Sequence, residues 1–192
     1  QGIQFIFFFF FARLLAPDDF GLLGMIMIFA TLSYVLVESG FSAALIRKED
    51  ANETDYNSVF YVNLAISVAL FVLLFFTIPY FADFFKQPAL VSTARITFIA
   101  VIFNAFYLVP YVQVNRAMDF KTLAKINLFA TLCSGSIGIT LAILDYGVWA
   151  LVYQQIGYQF FRGIGFYALV RWIPSFTFSL DSIKHLWKFC MH

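Results

Sequence analysis

ARLLAPDDFGLLGMIMIFATLSYVLVESGFSAALIR, residues 12–47, holds a complete membrane crossing with both of its ends marked. Pro17 cannot continue a preceding helix, because its ring fixes φ and it has no N–H to donate. Asp18 and Asp19 put negative charge where a new helix presents its free N–H groups. Together they predict a helix starting near Phe20. From there to Ile46 the only charged residue is Glu38, in a run longer than the ~20 apolar residues that cross a bilayer. Ser39 with Ala43, and Gly40 with Ala44, lie four apart and let a neighbouring backbone approach closely.

The rest of the chain has the same character. It is 62% hydrophobic and 12% charged, against roughly 25% charged in an ordinary soluble domain. Phe alone occurs 27 times in 192 residues, more than a soluble fold can hide without large exposed apolar patches. A formal net charge of +1 gives no basic stripe for nucleic acid. Cys133 and Cys190 have no metal-ligand spacing and read as free thiols. Neither a metal site nor a cofactor is expected.

In chain order, helices are predicted over about residues 3–16, 20–46, 56–81, 90–116, 123–144 and 147–170. The fold class is all-α, a polytopic transmembrane bundle of about six helices occupying residues 1–180. Pro110 inside the fourth helix should kink it or free a backbone carbonyl. Asn127, Thr131, Ser134 and Gly138 share one face of the fifth, and packing is the simpler account of them. The chain opens without Met inside an apolar run and shows no signal-peptide pattern. It closes on DSIKHLWKFCMH, where residues 181–192 read as the start of a further helix. Both ends are expected to be cuts in a longer chain.

The opening stretch is followed in order by FYVNL (60–64), ADFFKQPAL (82–90), MDFKTLAKI (118–126) and YGVWALVYQQ (146–155). This series resembles the polysaccharide exporter branch of the multidrug/oligosaccharidyl-lipid/polysaccharide (MOP) superfamily, flippases that move undecaprenyl-linked oligosaccharides. The resemblance covers almost the whole chain and lies in the order and spacing of the motifs. It implies about twelve or more helices in two six-helix halves, of which this would be the N-terminal half. It also implies a bacterial inner-membrane protein whose partners are a lipid-linked oligosaccharide, the lipid bilayer and its own C-terminal half. The half alone should not transport.

The positive-inside rule orients the bundle. If the loop after the second helix is cytoplasmic, eight basic residues fall on that side: Arg47, Lys48, Arg116, Lys121, Lys125, Arg171, Lys184 and Lys188. Three (Arg13, Lys86 and Arg95) fall on the other. The N terminus is then cytoplasmic, as the resemblance also implies.

Polar groups inside the predicted spans are costly in lipid and become site candidates. Arg162 leads, with Gln155 and Gln159 on its face at spacings of seven and three residues. A guanidinium stays charged and its fork matches phosphate oxygens. The competing reading has Arg162 snorkelling to cytoplasmic headgroups. Asn104, Tyr107, Tyr111 and Asn115 form a second stripe on the fourth helix; of these Asn104 and Tyr111 are the candidates for sugar hydroxyls, with interhelical packing as the alternative. Glu38 is the third candidate, as a partner of a basic group or as a proton carrier.

The leading function is thus a flippase working by alternating access. A cation-coupled multidrug exporter of the same superfamily is the alternative within transport, although it should carry more carboxylates at membrane depth than Glu38 alone. A membrane enzyme acting on lipid-linked sugars would need an acid, base or metal site. Glu49, Asp50, Glu53 and Asp55 read instead as a solvated cluster, and His185 and His192 lie in the terminal tail. A non-transporting scaffold is a third class.

Overall fold

The computed structural model describes residues 2–38, 42, 45–46 and 52–175. The Ser39/Ala43 and Gly40/Ala44 pairs, Arg47, Lys48, Glu49, Asp50, Cys190, both histidines and the helix expected from residue 181 lie outside the described residues. Seven helices are described: α1 (Gly2–Leu14), α2 (Pro17–Glu38), α3 (Glu53–Phe85), α4 (Ala89–Thr97), α5 (Ile99–Arg116), α6 (Phe120–Ile143) and α7 (Val148–Val170). No strand occurs among the described residues.

The helix starts follow from their first residues. α2 begins at Pro17 itself, ahead of the expected Phe20, because a first-turn residue needs no N–H and proline already has helical φ. The backbone N–H of Ala16 donates to Asp19 Oδ2 at 3.3 Å. In α3 the backbone N–H of Asn52 donates to Asp55 Oδ2 at 3.1 Å, closing the helix start from inside. This corrects the reading of Asp55 as part of a solvated cluster: it is only 2% exposed. At the start of α6, Asp119 accepts from the Thr122 hydroxyl at 2.6 Å and from its backbone N–H at 3.1 Å. These bonds, the hydroxyl first, hold the exposed Asp119 carboxyl below its ordinary pKa.

α4 and α5 make one crossing interrupted at Phe98, where a single helix over 90–116 was expected. Phe98 keeps helical angles, but the turn tightens there: Val101 N–H donates to its carbonyl at 3.0 Å. The Thr93 and Thr97 hydroxyls also bond back to carbonyls four residues earlier, at 2.7 and 2.8 Å, a habit that bends helices. α5 runs on through Pro110. Of the two outcomes expected there, a freed carbonyl is observed. Pro110 offers no N–H to the Phe106 carbonyl, and the Tyr167 hydroxyl of α7 donates to it instead, at 2.8 Å.

Four segments are long and apolar enough to cross a membrane: Pro17–Glu38, Glu53–Phe85, Ala89–Arg116 and Phe120–Ile143. At 33 residues, α3 measures about 50 Å and outruns the ~30 Å hydrocarbon layer. α7, at 23 residues, is also long enough, but it carries Gln154, Gln155, Gln159 and Arg162 and is not among these four. Ile28, Leu32, Phe76, Phe84 and Leu132 stand exposed on outer faces, where water would penalise them and lipid does not. The chain is a multi-pass membrane protein.

Between the helices, small residues set the spacing. Phe7 and Phe11 of α1 press their rings onto Gly135 and Gly138 of α6, where an added Cβ would come within 2.5 and 2.7 Å of them. α7 meets α6 at Gly165, where a Cβ would fall 2.9 Å from Ile126 Cγ2. Thr131, Ser134 and Gly138 are buried on the face of α6 that the sequence assigned to packing. After α7 the chain turns back across the bundle end to α3. Ser175 N–H donates to Asn57 Oδ1 at 3.1 Å, the Asn57 amide donates to Ser175 Oγ at 2.6 Å, and Trp172 packs on Phe60 with ring centroids 5.8 Å apart.

Candidate functional site

The packing of α5 on α7 brings two of the polar stripes together. Asn104, Tyr107 and Tyr111 follow one another at intervals of three and four residues on α5, and Gln155, Gln159, Arg162 and Phe166 do so on α7, the spacing that keeps side chains on one helix face. Their junction is the Tyr107 hydroxyl. It donates to Gln159 Oε1 at 2.6 Å and accepts from Asn104 Nδ2 at 2.9 Å and from Arg162 Nη1 at 3.2 Å. One donor and two acceptor positions are a hydroxyl's full capacity. Tyr107, Asn104 and Gln159 are 1%, 3% and 5% exposed.

Arg162 lies eight residues before the end of α7, about 12 Å along the helix. Its guanidinium turns inward, toward aromatic rings. The carbon centre is 5.0 Å from the Tyr107 ring, 5.4 Å from Tyr111, 5.8 Å from Phe166 and 6.0 Å from Tyr158, within reach of cation–π attraction. Phe166 stacks on Tyr107 with an interplanar angle of 10° and meets Tyr111 edge-on, so the cage is itself held by packing. Among the described residues no carboxylate pairs with Arg162 and its Nε has no hydrogen-bond partner. Rings soften the cost of the charge without neutralising it, and a donor face remains for an anion.

Beside this cluster opens a cleft of about 360 Å³ between α1, α2, α6 and α7. Gln154, Gln155, Tyr158 and Gln159 line it from α7, Thr131 and Ser134 from α6, and Phe11, Phe20 and Met27 from the first two helices. Amides, a phenol and aromatic faces suit hydroxyl-rich ligands.

Arg162, Gln159 and Asn104 thus meet in one hydrogen-bonded group, Tyr111 offers its ring to the Arg162 guanidinium, and Gln155 lines the cleft next to it. Glu38 is exposed at the last position of α2, outside the hydrogen-bonded group. Tyr107, the hub, belongs to the predicted stripe, but its central place needed the register of α5 on α7. Tyr158 and Tyr34 were missed. Tyr34 sits one turn before Glu38 and lies beside Gln155 and Gln159; an aromatic in an apolar run has no mark of its own.

A multi-pass bundle of apolar helices with a caged cation and a polar cleft in its interior defines a polytopic helical membrane protein. The chain belongs to the polysaccharide biosynthesis protein family, whose model it matches over residues 10–192. It is similar to the teichuronic acid biosynthesis protein TuaB of Bacillus subtilis, 31% identical over 81% of this chain and 32% of the relative. It is also similar to the succinoglycan biosynthesis transport protein ExoT of Rhizobium meliloti, 27% identical over 98% of this chain and 38% of the relative. With the lipopolysaccharide biosynthesis protein WzxC of Escherichia coli it shares 22% identity, over 90% of this chain and 35% of the relative. The chain spans about a third of the length of these relatives. No solved structure matches it.

Proposed function

We propose that the complete protein moves a lipid-linked oligosaccharide across the bacterial inner membrane by alternating access, with this bundle as its N-terminal half and the N terminus in the cytoplasm. The observation that carries the reading is Arg162: a cation turned into the bundle, caged by four rings and without a carboxylate partner among the described residues. A pyrophosphate linkage carries the complementary charge, and the amides of Gln155 and Gln159 lie where the adjoining sugar would go. The polyprenyl tail stays in lipid while one half rocks against the other. Names of relatives from teichuronic acid, succinoglycan and lipopolysaccharide synthesis support a sugar polymer as the product class. The activity is translocation, with no covalent step.

The test is export in cells that lack the native protein, complemented with the full-length chain. Arg162→Ala should abolish surface polymer while the protein still reaches the membrane. Normal polymer from that variant would remove the phosphate role.

A further inference from the structure

Three buried polar atoms around Tyr107 and Gln159 have no hydrogen-bond partner among the described residues: the Tyr34 hydroxyl, Asn104 Oδ1 and Arg162 Nε. They come from three different helices, α2, α5 and α7. A buried polar group left unpaired costs about 1–3 kcal/mol, so several gathered in one place call for a ligand, an ion or ordered water to complete them. Two of the three can donate a proton, and Arg162 is charged.

Tyr34 is held where a donor is useful. Its ring packs into the cluster of Val37, Val101, Ala105 and Leu108, which fixes its direction, and the hydroxyl lies beside the amides of Gln155 and Gln159. At those amides the hydroxyl makes no hydrogen bond within 3.5 Å among the described residues, so its proton is available to a ligand.

We propose that Tyr34 is a further binding residue of the site: its hydroxyl donates to an oxyanion that Arg162 attracts, so that the bound anion bridges α2 and α7. The proposal rests on the reading of Arg162 given above and extends it to a second helix. The oxyanion belongs to the phosphate linkage or to an acidic sugar; both present the same acceptor oxygens. Bridging gives ligand binding a structural consequence, since it ties α2 to α7.

Tyr34→Phe isolates the hydroxyl and keeps the ring. Because that hydroxyl has no hydrogen-bond partner among the described residues, its removal should leave the melting temperature of the purified full-length protein unchanged or higher. Affinity for polyprenyl pyrophosphate should fall about tenfold, or 1.4 kcal/mol, while affinity for the uncharged polyprenyl alcohol stays the same. In an Arg162→Gln background the same change should have little further effect, because the two donors act on one group. Inorganic pyrophosphate and glucuronate, added separately as competitors, distinguish the two sources, and competition by either fits the proposal. Wild-type affinity of Tyr34→Phe for polyprenyl pyrophosphate would overturn it, as would an equal loss for the alcohol, or a failure of both competitors. If Arg162→Gln bound like wild type while Tyr34→Phe did not, the Arg162 reading would fall and Tyr34 would stand.

Discussion

The Tyr107 hydroxyl and Gln159 Oε1 are joined at 2.6 Å across two helices, by residues 52 apart in the chain. This bond fixes the amide of Gln159, and through Tyr107 it also fixes Asn104 and Arg162. Tyr107→Phe would leave two donors and one acceptor unpaired inside the bundle. The variant should lose roughly 1–3 kcal/mol of stability, measured by unfolding in mild detergent. Two tyrosines of one cluster are thereby expected to behave oppositely, since the Tyr34 hydroxyl has no hydrogen bond to lose among the described residues.

Arg162→Lys tests what the guanidinium supplies beyond charge. An ammonium keeps the charge but loses the planar fork and the broad contact with aromatic faces. Export by the full-length variant should fall by about tenfold, equivalent to 1.4 kcal/mol, and Arg162→Ala should reach background. Equal export by the lysine variant and wild type would mean that charge alone matters at this position.

Pro110 and Tyr167 form a coupled pair through a third residue. The Tyr167 hydroxyl serves the Phe106 carbonyl that Pro110 leaves free. Tyr167→Phe should therefore cost about 1 kcal/mol in the wild-type background and almost nothing with Pro110→Ala, where the new N–H takes over. A double-mutant cycle in detergent checks this, and additive effects would contradict it.

The start of α6 should respond to pH. Because the folded Asp119 carboxyl has a lowered pKa, its contribution to stability is present above the unfolded value of about 3.9 and is lost as pH falls through the lower folded value. Asp119→Ala should thus melt below wild type at neutral pH, and the gap should close in acid. A gap that persists unchanged at low pH would assign the effect to something other than the carboxylate.

Much of this was legible from residue order. Pro17, Asp18 and Asp19 marked a helix start, and the apolar runs marked the crossings, because proline and charge act locally. The Asn104–Tyr107–Tyr111 and Gln155–Gln159–Arg162 stripes followed from helical spacing. Which stripe meets which is a matter of helix rotation and packing, so the hub at Tyr107 and the approach of Tyr34 were not accessible that way. The interruption at Phe98 was hidden for another reason. Its angles remain helical and no Gly or Pro stands there; the threonine hydroxyls that bond back to the chain around it are common in unbroken helices. Asp55 misled because a cap and a solvated acid look alike in sequence, and only the 2% exposure separates them.

The central claim is that a substrate headgroup enters the cleft beside Arg162. The most direct measurement is thiol accessibility of Gln155→Cys in the full-length protein, with Cys133 and Cys190 replaced, using a membrane-impermeant reagent with and without lipid-linked oligosaccharide. Gln155 lines the cleft without belonging to the hydrogen-bonded group. Labelling that the substrate blocks is the predicted result. No labelling from either side, or labelling that the substrate leaves unchanged, would contradict the account.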